Sequence, residues 1–170
     1  RFGGALTAAF RAQESLTAQV GSSMVRRINA LGGGPITGRA FDCAVSTGDN
    51  IDNQQRNEAE WFIRLLDGGL LSPNSGEEKL YEGVQDVAGF DSAYWHPDEG
   101  RPDDFKKLFG FPDQPGLMEQ AIRPFETPAL EVPWYSTYGN HDGLLQGNLP
   151  ATEKINEILT LDRKVLDLKA

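Results

Sequence analysis

From residue 14 to 31 the apolar positions Leu16, Val20, Met24, Val25, Ile28 and Leu31 recur at steps of three and four, the period of an α-helix. Gly32-Gly33-Gly34 then ends it. The next apolar run, Ala40 to Ser46, closes on Thr47-Gly48-Asp49 and predicts a short buried strand entering a loop. Within it Cys43 is expected as a buried small hydrophobe and not as a nucleophile. A second helix is predicted to start at Asn53 or a neighbour and to run through Leu66. Trp61, Phe62, Leu65 and Leu66 would share its core face, and Gly68-Gly69 would stop it. Strand, loop and helix in that order is the rhythm of an α/β sheet.

From about residue 67 to 133 the texture changes to frequent Pro and Gly, with scattered aromatics such as Tyr81, Phe90, Tyr94, Trp95, Phe109 and Phe111. Aromatic content of that kind predicts a packed irregular insertion, not a solvated linker. Periodicity returns at Trp134-Tyr135-Ser136-Thr137-Tyr138, a second strand that stops at Gly139-Asn140-His141-Asp142. Beyond Pro150, the residues Ile155, Ile158, Leu159, Val165 and Leu166 keep helical spacing.

Composition narrows the function. The chain has 170 residues, enough for one α/β domain, and its 16 basic against 25 acidic side chains give a net charge of -9. Strong nucleic-acid binding through basic patches is therefore not expected, and a phosphorylated substrate would need a metal ion to meet its charge. One cysteine permits neither an intrachain disulfide nor a cysteine-based zinc cluster. No apolar run approaches the ~18 residues of a membrane span, and no signal-like segment opens the chain. The first residue is Arg1, so a processed or truncated N-terminus is expected and the compartment is left open.

Each predicted strand ends in metal-capable side chains: Asp49-Asn50-Ile51-Asp52-Asn53 after the first, Asn140-His141-Asp142 after the second. In α/β sheets ligands sit beyond the carboxyl ends of strands, so Asp49 and Asn140 should converge on one rim although 91 positions (140 minus 49) separate them. A glycine before each cluster lets the backbone turn sharply. Hard oxygens with an imidazole nitrogen suit a metal engaged in phosphoryl chemistry, with Mn, Fe and Zn all compatible.

Gly48-Asp49-Asn50-Ile51-Asp52 followed by Gly139-Asn140-His141-Asp142 resembles the calcineurin-like metallophosphoesterases, whose pattern holds G-D-x-x-D and then G-N-H-D or G-N-H-E. The resemblance implies that Asp49 bridges two metal ions and Asn140 binds one of them. It implies that His141 acts on the scissile phosphate, with Asp142 orienting His141 and Asp52 supporting the site from behind. The implied activity is hydrolysis of a small phosphomonoester or phosphodiester by a metal-bound hydroxide. The implied fold is part of a four-layer α/β/β/α sandwich, here one domain over residues 1–170 with the insertion at about 67–133.

The family pattern also has an upstream D-x-H and downstream histidines including G-H-x-H, whereas this chain has only His96 and His141. A longer polypeptide is expected to supply the missing ligands, so the isolated chain should be inactive. The rival expectation is a non-catalytic binding or scaffold domain of the same fold that has lost ligands. A third is an oxygen-only Ca²⁺ or Mg²⁺ site made by Asp49, Asp52 and Asp142. His96, alone in an aromatic loop, is expected to pack and hydrogen-bond. Arg26 and Arg27 are expected on a solvated helix face, and Gly32-Gly33-Gly34 lacks the Lys and Ser or Thr of a phosphate loop.

Overall fold

The structure, a computed structural model, describes residues 10–160. A 3₁₀ turn, Glu14–Leu16, leads into helix α1, Thr17–Leu31, which ends at Gly32 with φ of 65°. Strand β1, Ala44–Ser46, is followed by helix α2, Arg56–Asp67. Its N-cap is Gln55, and the Glu58 carboxylate reaches back to the Asn53 and Gln55 N–H groups at 3.0 and 3.1 Å. Strand β2, Gly69–Leu71, follows directly. After a 3₁₀ turn at Val87–Gly89 come the short helices α3, Asp104–Phe109, and α4, Leu117–Ala121. The chain then forms β3, Phe125–Thr127, β4, Trp134–Ser136, a 3₁₀ turn at Asn140–Asp142, and α5, Glu153–Leu159. Val165 and Leu166, expected in that last helix, lie outside the described residues.

The chain divides into two compact units. Among the described residues, one comprises 22–69 and 126–160 and the other comprises 10–21 and Leu70–Phe125. The chain passes between them along α1, β2 and β3, and β2 pairs with β3.

In the first unit β1 and β4 run parallel with Ala44 opposite Trp134, Val45 opposite Tyr135 and Ser46 opposite Ser136. The ladder is extended by the Ala44 N–H to the Pro133 carbonyl at 2.9 Å and the Thr137 N–H to the Ser46 carbonyl at 3.1 Å. Trp134 packs edge-on against Phe62 of α2 and donates its indole N–H to Asp67 at 2.9 Å. Val25, Leu130 and Leu144 are this unit's buried apolar side chains among the described residues. The ladder has two strands, and the expected burial of the first strand does not hold: Val45 is 61 % exposed and Cys43 is exposed. The physical reason is that one face of the two-stranded ladder is uncovered: Val45 lies opposite Tyr135, itself 62 % exposed, and Cys43 is two residues from Val45 and so on the same face.

The second unit holds Ala12, Leu71, Trp95, Met118, Ala121 and Ile122 as its buried apolar set. His96 is fully buried, its ring Nδ1 3.1 Å from the Gln85 carbonyl and Nε2 3.0 Å from the Asp91 carbonyl. Its main-chain N–H donates to the buried Asp103 carboxylate at 2.9 Å, which also caps α3 through Lys106 N–H at 2.9 Å. His96 is thus a hydrogen-bonded core residue, as the sequence suggested. No helix among the described residues is long and apolar enough to cross a membrane.

Candidate metal centre

Because β1 and β4 are parallel neighbours, the loops leaving them start from the same rim, and the two motifs meet there. Gly48, at φ of 108°, and Gly139 are in backbone contact: a Cβ on Gly48 would stand 2.5 Å from both the Cα and the N of Gly139. A Cβ on Gly139 would in turn collide with the Asp49 main-chain N and carboxylate. Both motif glycines therefore serve close approach, Gly48 with a positive φ as well.

Asp49 follows in the left-handed region at φ of 57°, a conformation that aspartate tolerates better than most residues. Turning Gly48 and Asp49 this way points the successive N–H groups of residues 49 to 51 into one concavity, a ready anion nest. Asp142 fills it. Its carboxylate accepts from the N–H of Asp49 at 3.0 Å, Asn50 at 2.6 Å, Ile51 at 2.9 Å and Gly139 at 2.6 Å. Burial pushes the Asp142 carboxyl upward, but these four donors outweigh it and hold the group below the ordinary carboxylate range. In return Asp49 Oδ1 accepts the His141 N–H at 2.9 Å. The Asn50 side chain, not singled out from the sequence, ties the two strands. Its amide donates to Ser136 Oγ at 3.0 Å and the Thr137 carbonyl at 3.1 Å, and its oxygen bonds the Ser46 hydroxyl. A polar residue directly after the G-D pair is the only trace of this in the sequence.

Asp49 and Asn140 are exposed, and Asp52 and His141 are partly so. The carboxylate beside the His141 ring belongs to Asp52, with Oδ1 3.9 Å from Nδ1, while Asp142 is occupied by main-chain donors. Asp52 also anchors the second loop through its carbonyl, which accepts the Gln146 N–H at 2.7 Å.

No family model, curated protein or solved structure matches the chain.

The donors fit a metal in kind but not in number. Asp49 and Asn140 are exposed residues of the two loops that leave this rim, yet the described residues contain no group of three or more His, Cys, Asp or Glu side chains able to hold an ion. The Asp142 carboxylate is saturated by four N–H groups, so it is not free to join them, and an oxygen-only site of Asp49, Asp52 and Asp142 lacks its third member.

Proposed function

We propose that this chain carries one half of the active site of a metal-dependent phosphoesterase acting on a small phosphomonoester or phosphodiester, within an α/β sandwich of which β1 and β4 are two strands. The observation that supports the reading is the closure of the two motif loops on each other at the carboxyl ends of adjacent parallel strands. Asp49 and Asn140 would hold the ions, and the remaining donors would come from polypeptide beyond these residues. Metal ions bound there would supply Lewis acidity toward the phosphoryl oxygens and the attacking water. His141 would give a proton to the leaving oxygen from Nε2, since Nδ1 is turned to Asp52. Asp52 would hold that ring orientation, and Asp142 would fix the distance between the loops.

The rival reading, a binding or scaffold domain of the same fold without catalysis, is favoured by the shortage of donors. Metal content and turnover of an aryl phosphate or phosphodiester with added Mn²⁺, measured on the full-length protein, separate the two. Asp49→Asn keeps a residue suited to left-handed backbone, so it should lose metal and activity together without unfolding. His141→Ala should retain metal while turnover falls by roughly a hundredfold, and Asp52→Asn should do the same to a lesser degree. Full-length protein that neither binds Mn²⁺ nor turns over either ester would establish the scaffold.

A further inference from the structure

Among the described residues, four that are not glycine have a positive φ: Asp49 at 57°, Gln54 at 56°, Leu145 at 46° and Gln146 at 56°. All four lie in the two loops that leave the rim, between β1 and α2 and between β4 and α5. Every positive-φ position outside those loops is glycine. Left-handed backbone presses Cβ against the following carbonyl oxygen, a cost that the short polar side chain of aspartate can offset locally and that leucine and glutamine cannot. Gly147 continues the turn at φ of 74°, so three successive residues are left-handed where such residues ordinarily occur singly. Side-chain burial does not account for the conformation, since Leu145 is 44 % exposed.

What holds the turn is the site itself. The Gln146 N–H donates to the Asp52 carbonyl at 2.7 Å, and the Gly147 and Asn148 N–H groups close back onto the Gly143 and Leu145 carbonyls, each at 3.1 Å. Gly147 lies against the Asn140 carbonyl oxygen, with which a Cβ at that position would collide. The turn therefore touches Asp52, whose carboxylate faces His141 Nδ1 at 3.9 Å, and Asn140, the residue before His141.

We propose that the Leu145-Gln146-Gly147 turn is a positioning device for the His141 imidazole: it costs stability and clamps the two rim loops so that Asp52 stays at Nδ1 and Nε2 is aimed outward. This role rests on the phosphoesterase reading, in which His141 protonates the leaving oxygen. Backbone strain persists only where the surrounding structure holds it, and it gathers where geometry must be fixed. A turn that merely closed a loop would carry glycine at 145 and 146, as the chain does at Gly32, Gly38, Gly110 and Gly116.

The test relieves the strain in the full-length protein with the double substitution Leu145→Gly and Gln146→Gly, and uses Gln54→Gly as the matched control. Both variants should raise the urea midpoint, because glycine carries no left-handed penalty. Only the turn variant should lose turnover of an aryl phosphate with Mn²⁺, by roughly tenfold in kcat with KM little changed. In a His141→Ala background the same two substitutions should cost nothing further, because the turn acts through the imidazole. Undiminished kcat, an equal loss in the His141→Ala background, or a lower urea midpoint would each overturn the proposal. A readout without turnover is NMR relaxation at His141 Cε1, which should show a more mobile ring in the turn variant than in the wild type. Equal mobility would overturn the proposal as well. Wild-type protein that turns over neither a phosphomonoester nor a phosphodiester would instead sink the phosphoesterase reading, and ring mobility would still decide whether the turn clamps His141.

Discussion

Four main-chain N–H groups share the Asp142 carboxylate, and three of them come from a loop more than 90 residues earlier in the chain. The ionised form is the one these donors hold, so its contribution to stability is complete above the unfolded pKa of about 4 and fades as pH falls through the lower folded value. Asp142→Asn should therefore cost about 3 kcal/mol at neutral pH, since it leaves buried donors poorly paired. Urea midpoints measured from neutral pH downward should fall for the wild type and stay flatter for the variant; parallel curves would show that Asp142 is not the titrating strut. At this scale the sequence named the participants but not all of their parts. Asp49 and His141 lie together as their motifs suggested, but spacing alone could not say which carboxylate faces the imidazole. Asp142 is the sequence neighbour of His141 and Asp52 lies 89 positions before it (141 minus 52), yet the left-handed turn at Asp49 gives Asp142 to the backbone and leaves Asp52 beside the ring.

Among the elements, the helices were the most legible because their signals are local: α1 from its apolar period, α2 from the stop at Gly68. The strands were legible in place but not in length or burial. Seven-residue and five-residue runs yield ladders of three residues, because pairing and covering depend on neighbours that the pattern of one strand does not reveal. The backbone contact between Gly48 and Gly139 could be anticipated only as a need for glycine. Gly48→Ala combines a positive φ with a 2.5 Å collision and should cost roughly 3 kcal/mol or more. Gly139→Ala meets the collision without an unfavourable φ and should cost about 2 kcal/mol. Gly38→Ala is the control, since its φ is 68° but nothing lies within 4 Å, and it should cost about 1 kcal/mol. Denaturant unfolding of the three variants should give that order.

For the molecule as a whole, the stretch read as an irregular insertion contributes most of one compact unit, joined there by residues before Ser22. That division was illegible from sequence because its contacts are long in range: the Gln85 amide donates to the Ala12 carbonyl at 3.2 Å, 73 positions away. Its aromatic richness nevertheless pointed to a packed segment, and Phe105 meets Phe10, Phe109 and Phe111 at 5.4–5.9 Å. The amides of His96 and Leu117, donated to Asp103 and Asp98 at 2.9 and 2.8 Å, should accordingly exchange slowly with deuterium. Exchange of both as fast as at exposed Asn156 of α5 would contradict a folded second unit. The parallel pairing of β1 with β4 also carries a consequence for how the protein comes into being. Ser46 must wait for Ser136, 90 positions later (136 minus 46), so the rim is closed by a contact of long sequence separation. Such contacts tend to form late, after the entropy of a long loop has been overcome. Stopped-flow measurements on Gly139→Ala should then show its destabilisation chiefly as faster unfolding, with refolding little changed. A nascent chain that has not yet emitted Trp134 would hold Asp49 with nothing to meet it, so the rim would exist only once β4 is made.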